Sequence, residues 1–356
     1  MSGYASKLFY RPKPLIGLDI SQTGIKVMAI DPKKWLVIGY GSLDLDPAKV
    51  QASLESTEDA YLSENIAALL RENIVGTLHS DHVVVGLPTG KTFSRTFTLP
   101  ASEEKHIEGA VEIEVDQYIP IPIGLLYVDY EIIERTKDML TVIISAVPRT
   151  LVDACLDAVR SAGLNPVMAE PSINAVARVL QATEEGHLST LIVDIGAAST
   201  DIAVLDGGVI RVTGSVGIGG NTFTIDIAKK LGIALENAHQ YKVLNGLNPG
   251  PRQAKLSGAL KPSLTRIATE IRKVIRYYNE RLVDDRKIEQ VLIVGAGANV
   301  PGIGEFFTNE LVMPARVASP WQQLDFGQLQ EPNKQFRPRY ITVAGLASIK
   351  TEELWK

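Results

Sequence analysis

The sequence predicts an α/β protein of two domains, and three observations carry that expectation. One local pattern occurs twice: Leu15-Ile16-Gly17-Leu18-Asp19-Ile20-Ser21-Gln22-Thr23-Gly24-Ile25-Lys26-Val27, and again Leu191-Ile192-Val193-Asp194-Ile195-Gly196-Ala197-Ala198-Ser199-Thr200-Asp201-Ile202-Ala203. Each copy is an apolar run, an Asp, a turn of small polar residues and a second apolar run, the pattern of a tight β-hairpin. Strand-like and helix-like segments alternate along the rest of the chain. The 356 residues, 45% hydrophobic and 22% charged, suffice for two separate cores.

Composition bounds the function. A net charge of −5 argues against a general binder of nucleic acid or anionic membrane. The single cysteine, Cys155, rules out an intrachain disulfide and suggests a reducing compartment; it falls on an apolar stripe with Leu151 and Val159, which reads as core. No apolar run reaches the roughly 20 residues a membrane span needs. Met1–Pro14 lacks the pattern of a secretory signal and reads as a short flexible lead-in, cytoplasmic by default.

In order, the first hairpin is followed by a strand at Trp35–Leu45, a helix over 61–78 with Leu62, Ile66, Leu69 and Leu70 on one face, and a buried strand at His82–Leu87. Segment 88–166 changes character: strand Thr92–Leu99, helix Glu103–Tyr118, the break Ile119-Pro120-Ile121-Pro122, strands Tyr127–Glu134 and Leu140–Val147, and helix Arg149–Ala162. This is a small α+β insert. Glu170-Pro171-Ser172 opens a helix, with Pro near its first turn. A polar link, Glu184–Ser189, leads to the second hairpin. A strand at Val209–Gly217 follows, then a helix opened by Gly219-Gly220-Asn221-Thr222 and ending at Leu231. Helices are expected at Ala234–Leu244 and Ser263–Leu282, with a loop at Asn245–Lys261 between them. Gln290–Val294 is a strand running into Gly295-Ala296-Gly297-Ala298-Asn299, with a helix from about Gly302. A linker at Asn333–Pro338 precedes the closing helix Ile341–Lys350.

The hairpins carry the chemistry. Small residues let backbone N–H groups approach an anion, the turn hydroxyls add donors, and a strand-end Asp can hold magnesium through water. Two such turns facing across a cleft would clamp a phosphate chain. On spacing alone, Lys26 faces either solvent or that cleft. Gly295 and Gly297 allow close approach of a sugar or planar ring, though the turn does not fit the dinucleotide fingerprint. Glu170 either caps a helix or orients water for attack on a terminal phosphate. No GxxxxGK[ST] run is present, the histidines lack metal-ligand spacing, and Ser145, Ser199 and Ser215 lack a nucleophile-elbow context.

The two hairpins and the Gly295–Ala298 turn, in this order, resemble the phosphate-1, phosphate-2 and adenosine motifs of the actin, Hsp70 and sugar-kinase superfamily, over nearly the whole chain. Glu170-Pro171 resembles the connecting region before phosphate-2, and Ala344-Gly345-Leu346-Ala347 the return to domain I. Gly86-Leu87-Pro88, the Glu-rich helix 103–118 and Tyr118-Ile119-Pro120 resemble the insert of the FtsA/PilM branch; Gly219–Thr222 through Ile233–Lys242 resemble its subdomain IIB. The chain stops at Lys356 after the return helix, without the amphipathic anchor of FtsA, which sides with the PilM members.

The resemblance implies an actin-like (ribonuclease H-like) two-domain ATPase fold with an inserted α+β subdomain. Domain I would comprise 1–183 and 338–356, with a partner-binding insert at about 88–166; domain II would comprise 184–337, with subdomain IIB at about 218–285. It implies ATP and Mg²⁺ as cofactors. Phosphates would be held by Ser21, Gln22, Thr23, Gly24, Lys26, Gly196, Ala197, Ala198, Ser199 and Thr200, the nucleoside by Gly219, Gly220, Glu236, Gly295, Gly297 and Ala298. Asp19 and Asp194 would hold the metal through water, with Glu170 the candidate catalytic acid. It further implies a role at the inner-membrane platform of type IV pilus assembly, with the tail of a PilN-like membrane protein in a groove near Tyr118, Ile119, Ile121 and Tyr127. Localisation would be cytoplasmic and peripheral, with no nucleic acid and no direct membrane insertion, and homo-oligomers are compatible with it. Ala197 and Ala198, where many relatives carry glycines, and Ala296 inside the adenosine turn point to binding with slow hydrolysis. The rival readings are an FtsA-like filament-forming division protein and a small-molecule kinase, which would need a cleft Asp as catalytic base.

Overall fold

Two sheets organise the chain. The computed structural model describes residues 14–184, 188–251, 253–281 and 287–350; the lead-in before Pro14, part of the Glu184–Ser189 link, the helix end expected at Leu282 and the residues after Lys350 lie outside them. The first sheet has the order β4-β3-β2-β1-β5-β9. Its strands are β1 (Ile16–Ser21), β2 (Gly24–Asp31), β3 (Leu36–Asp44), β4 (Ile74–Gly76), β5 (His82–Leu87) and β9 (Asn165–Pro171). β1 turns tightly into antiparallel β2 and lies parallel to β5, placing Asp19 directly opposite Lys26 and beside Gly86.

Helix α1 (Pro47–Ser53) is capped by Asp46, whose Oδ1 accepts from the amides of Ala48 and Lys49. Helix α2 (Tyr61–Glu72) is shorter than the 61–78 the periodicity predicts, because Ile74–Gly76 leaves it to pair with β3.

The insert is a three-stranded sheet, β6 (Phe93–Pro100), β7 (Leu126–Arg135) and β8 (Met139–Pro148), backed by α3 (Ile107–Tyr118). Val111, Val115, Leu140, Val142 and Ile144 form its own core. The insert ends earlier than position 166. Helix α4 (Arg149–Ser161) puts Leu151, Cys155 and Val159 into the first domain's core with Ile16, Leu18 and Val83, and β9 completes that domain's sheet.

On the opposite face, α5 (Ser172–Thr183) crosses α10 (Ile341–Ala347) at the one point where Gly345 lets the backbones touch; any side chain there would overlap Ala175 O. The closing helix ends at Ala347, short of the expected Lys350.

The second sheet runs β14-β13-β10-β11-β12-β6-β8-β7. Its remaining strands are β10 (Thr190–Ile195), β11 (Thr200–Asp206), β12 (Val209–Val216), β13 (Gln290–Val294) and β14 (Ala315–Val317). The hairpin β10–β11 repeats the register of β1–β2 and sets Asp194 opposite Asp201. The insert therefore belongs to domain I by chain and to domain II by sheet: β6 pairs with β12 at Arg95 and Val212, and Thr96 Oγ1 donates to Arg211 O at 2.7 Å.

Helices α6 (Gly220–Leu231), α7 (Leu235–Leu244), α8 (Gln253–Arg281) and α9 (Ile303–Leu311) pack on the second sheet through Phe223, Leu260, Ile267, Ile271 and Phe307. The loop expected at 245–261 is half helix, since α8 begins at Gln253 and runs through Pro262. Pro262 lies inside this helix, where it removes one backbone donor without ending it. Among the described residues no helix is long and apolar enough to cross a membrane.

Candidate functional site

The two hairpin turns face each other across a cleft of about 280 Å³ between the sheets. Residues Asp19–Lys26 line one wall; Asp194, Gly196–Ser199 and Asp201 line the other; Gly295 and Ala296 close one side. Lys26 points into the cleft. Its Nζ donates to Asp19 Oδ2 at 2.8 Å and to Ser21 Oγ at 3.1 Å, while Ser21 Oγ donates to Gly24 O. Asp19 also accepts from Ser172 Oγ at 3.0 Å.

Among the described residues Asp194 and Asp201 form no such ion pair. Burial pushes the Asp194 carboxyl up to about 7, helped by the nearby charges of Asp201 and Asp19 and opposed by Lys26. Burial likewise lifts Asp201 to about 6, against the hydrogen bonds of Ser215 and Thr89. Asp201 was not singled out from the sequence, although the register pairing it with Asp194 is the counterpart of Asp19 with Lys26. The cleft thus brings Asp19, Asp194 and Asp201 close to Lys26, while Asp44, Lys91 and Arg339 also line it. Among the described residues no three acidic or histidine groups converge into a direct cage, and magnesium keeping its waters fits that spacing.

The second turn is held by backbone alone. Gly196 N donates to Ser199 O, and its own carbonyl accepts from Gly220 N; Ala197 O accepts from Asn221 N. This leaves the amides of Ala197, Ala198 and Ser199 without a protein acceptor among the described residues and free to donate to an anion. Gly295, at φ +88°, is required: a Cβ there would overlap Asp194 Oδ1.

Other expected site residues lie elsewhere. Thr200 is buried with its hydroxyl donating to Ile218 O at 2.7 Å, so it offers nothing to the cleft. Gly219, Gly220, Gly297 and Ala298 do not line it. A Cβ on Gly219 would come 2.7 Å from Ala197 O and one on Gly297 would strike Gly196 O, so these glycines let three backbone segments touch. Glu236 is exposed at the start of α7. The polar group of α7 that reaches this region is Lys242, which burial lowers to about 8; its Nζ donates to Gly220 O at 2.8 Å and Thr224 Oγ1 at 2.9 Å.

Glu170 is at the end of β9, outside the cleft lining, clasped by Arg178 through two hydrogen bonds of 2.9 and 2.8 Å. That pairing occupies the carboxylate in structure. The far rim of the cleft, missed from sequence, comes from Ser42–Asp44 and from Pro338, Arg339, Ile341 and Thr342.

A second, larger groove of about 750 Å³ lies where the insert, the β9–α5 part of the first domain and the β11–β12 hairpin meet, Leu205 and Gly208–Ile210 of that hairpin closing one end. Tyr127, Asp129 and Glu131 of β7 and Ile143, Ser145 and Val147 of β8 form one wall; Met168–Pro171 and the α5 residues Asn174, Ala177, Arg178 and Gln181 form the other. β7 is the edge of its sheet. Tyr127 is the one expected groove residue found here. Tyr118 and Ile119 line a cavity of about 390 Å³ on the opposite side of the insert, where Arg95 lies 3.3 Å from the Tyr118 ring centre and 4.6 Å from that of Tyr277. Ile121 packs against the insert's core.

Comparison with known proteins agrees with this architecture. A PilM–PilN type IV pilus biogenesis complex superposes with a TM-score of 0.76 over 94% of this chain and 98% of that one, at 24% identity. EutJ from Carboxydothermus hydrogenoformans (TM-score 0.54, 17% identity, 96% and 90% covered) and AMPPNP-bound MreB5 of Spiroplasma citri (0.51, 15%, 94% and 95%) share the fold. The fold is therefore actin-like. Among curated proteins, FtsA of Borreliella burgdorferi is 23% identical over 189 residues, covering 48% of this chain and 45% of that protein. EutJ of Escherichia coli is 28% identical over 157 residues, covering 44% and 49%. The chain thus spans about half the length of these curated relatives. The family model for type IV pilus assembly protein PilM matches residues 17–350. The chain belongs to the PilM family of type IV pilus assembly proteins.

Proposed function

We propose that this chain binds Mg-ATP between its two hairpin turns and docks the extended N-terminal tail of a PilN-like membrane protein in the groove between the insert and domain I. It would act at the inner face of the cell membrane, held there by its partners in the pilus assembly platform. The observation that carries the nucleotide reading is the pair of facing turns, with unpartnered amides at Ala197–Ser199 and the acids Asp19, Asp194 and Asp201 around Lys26.

In this reading the turn amides, Ser21 and Ser199 bind the β- and γ-phosphates, and Lys26 stays paired with Asp19 while offering charge to the same oxygens. Asp19 and Asp194 hold the metal's water shell, and Asp201 accepts from it. Magnesium, when bound, neutralises phosphate charge. The nucleoside would rest against Gly295 and Ala296. Glu170 is held by Arg178 and Asp44, on the rim, by Arg339, so among the described residues neither is free to activate water, and we expect slow hydrolysis. Nucleotide favours closure of the two domains only by the difference in its affinity for the two states.

The partner reading is supported by the family match and by the groove itself. An edge strand beside a long, mixed polar and apolar cleft suits an extended peptide that adds to the sheet. Titrating MgATP calorimetrically into nucleotide-stripped protein should give saturable binding that Asp194→Ala loses. No binding by folded wild type would refute the nucleotide reading. Ser145→Trp should fill the groove and lower tail-peptide affinity more than tenfold, roughly 1.4 kcal/mol, with MgATP binding intact; undiminished tail binding would move the partner site elsewhere.

A further inference from the structure

The cavity of about 390 Å³ beside Tyr118 lies at the seam between the insert and domain II. Strand β8 separates it from the partner groove: Ile144 faces the cavity, while Ile143 and Ser145 face the groove. Phe93, Val115, Ile119, Ile144, Val212 and Val274 give it apolar walls. Its volume is that of a small-molecule site, roughly 300–1,000 Å³. Gly214 lets α8 close on β12 here, since a Cβ would come 2.6 Å from Val274 Cγ2.

Two charged side chains in this cavity lack hydrogen bonds. Arg95 of β6 sits beside Tyr118 of α3 and Tyr277 of α8, its guanidinium carbon 3.3 and 4.6 Å from the ring centres. Tyr277 is in turn tied to β6, its hydroxyl donating to Thr96 O at 3.2 Å. Stacking of this kind holds a guanidinium by its face and leaves its N–H donors at the edges. Among the described residues those donors make no hydrogen bond; Nε is buried and faces Glu114 Oε1 at 3.4 Å, an ion pair too long to be one. The Glu114 carboxylate, on α3 and 18% exposed, makes no hydrogen bond among them either. Lys273 and Glu270, which also line the cavity, are already bonded to each other at 2.8 Å. An arginine and a carboxylate this sheltered ordinarily find several partners. Here both line an apolar cavity with their hydrogen-bonding capacity unused.

We propose that this cavity binds a free α-amino acid with an apolar side chain. The ligand carboxylate accepts from the Nη edge of Arg95, the ammonium donates to Glu114, and the side chain fills the apolar walls. A simple anion would answer Arg95 and repel Glu114; a simple cation would do the reverse. A zwitterion whose charges are one carbon apart answers both members of a pair 3.4 Å apart. The ligand would touch β6 and α3 of the insert together with β12 and α8 of domain II, and so brace a seam whose ladder is the single pair Val212 with Arg95 among the described residues. The site is separate from the partner groove and requires neither the nucleotide nor the tail peptide.

The test is calorimetric titration of L-leucine, L-isoleucine, L-methionine and L-phenylalanine, each separately, into the full chain. At least one should bind with a Kd below about 1 mM, and L-alanine, which lacks the apolar body, at least about tenfold more weakly. For the tightest of the four, the deaminated acid and the decarboxylated amine should each lose at least about tenfold. Arg95→Met and Glu114→Gln should each weaken the amino acid by at least about tenfold. Glu114→Gln should also close the gap between the amino acid and its deaminated acid, a change that lost packing does not produce. This variant carries the test if Arg95→Met fails to fold. No binding of any of the four by folded wild type overturns the proposal, as does undiminished affinity in both variants, which moves the site elsewhere. A deaminated acid that binds wild type as tightly as the amino acid overturns the zwitterion in favour of a simple carboxylate.

Discussion

Replacing Asp194 with asparagine should stabilise the nucleotide-free protein, and by more at high pH than at low. Asp194 titrates at about 7 in the fold against an ordinary 3.8. A carboxyl whose folded value is raised favours the folded state when protonated, so that contribution is full below 3.8 and is lost as pH rises through about 7. At about 1.4 kcal/mol per pH unit, the full difference is a ceiling of about 4 kcal/mol. Asp194 lines the cleft, where water reaches the carboxylate, and part of the rise belongs to Asp201 and Asp19 jointly. We therefore expect roughly 2 kcal/mol at pH 8 and about 0.5 kcal/mol near pH 4, just above the ordinary value.

Denaturant unfolding of wild type and Asp194→Asn, without nucleotide, at both pH values measures this directly. Saturating MgATP should reverse the ranking, because a ligand stabilises only the protein that binds it. An Asp194→Asn variant that is less stable than wild type at pH 8, or whose advantage does not grow with pH, would refute the argument that this acid awaits a cation.

Two further perturbations probe the neighbouring structure. Gly295→Ala forces a side chain onto Asp194 at a backbone angle that suits glycine, and should cost about 2 kcal/mol or more while abolishing MgATP binding in the calorimeter; wild-type affinity would show that the turn relaxes freely. Arg178→Met leaves Glu170 buried and unpaired and should cost about 3 kcal/mol by denaturant unfolding; an equal loss in the double variant Glu170→Gln with Arg178→Met would assign it to packing.

The fold was legible where local pattern and tertiary pairing agree. Both hairpins carry their turn chemistry and apolar strands within a dozen residues, so their register followed from sequence. β9 did not. Its strand character comes from lying parallel to β5, not from alternation in Asn165–Pro171. The segment 245–261 reads as a loop for its Gly and Pro content, yet helix runs from Gln253 through Pro262 because its apolar residues, Leu256, Ala259 and Leu260, pack into the second sheet's core.

Asp19, Asp194 and the two turns were legible because each lies on one of the repeats; Asp201 lies on a repeat too but was not singled out, and spacing left Lys26 open between solvent and cleft. Thr200 misled because alternation along β11 turns its hydroxyl away toward Ile218. Gly219, Gly220 and Gly297 were read as openings for a ligand and are contacts between backbones. Arg339 and Thr342 could not be found by motif, since they approach the cleft only through the return of the chain to domain I.

The shared sheet also has a consequence for how the chain is made. Thr96 in β6 and Arg211 before its partner positions in β12 are separated by 115 residues. Synthesis at roughly 5–20 residues per second leaves the insert on the ribosome for on the order of ten seconds with the β6 edge uncovered. An open edge is a template for pairing with other chains. Nascent molecules should therefore be most prone to aggregate in the interval after Pro148 is made and before Val216 emerges, and truncations ending between these points should be less soluble than the full chain.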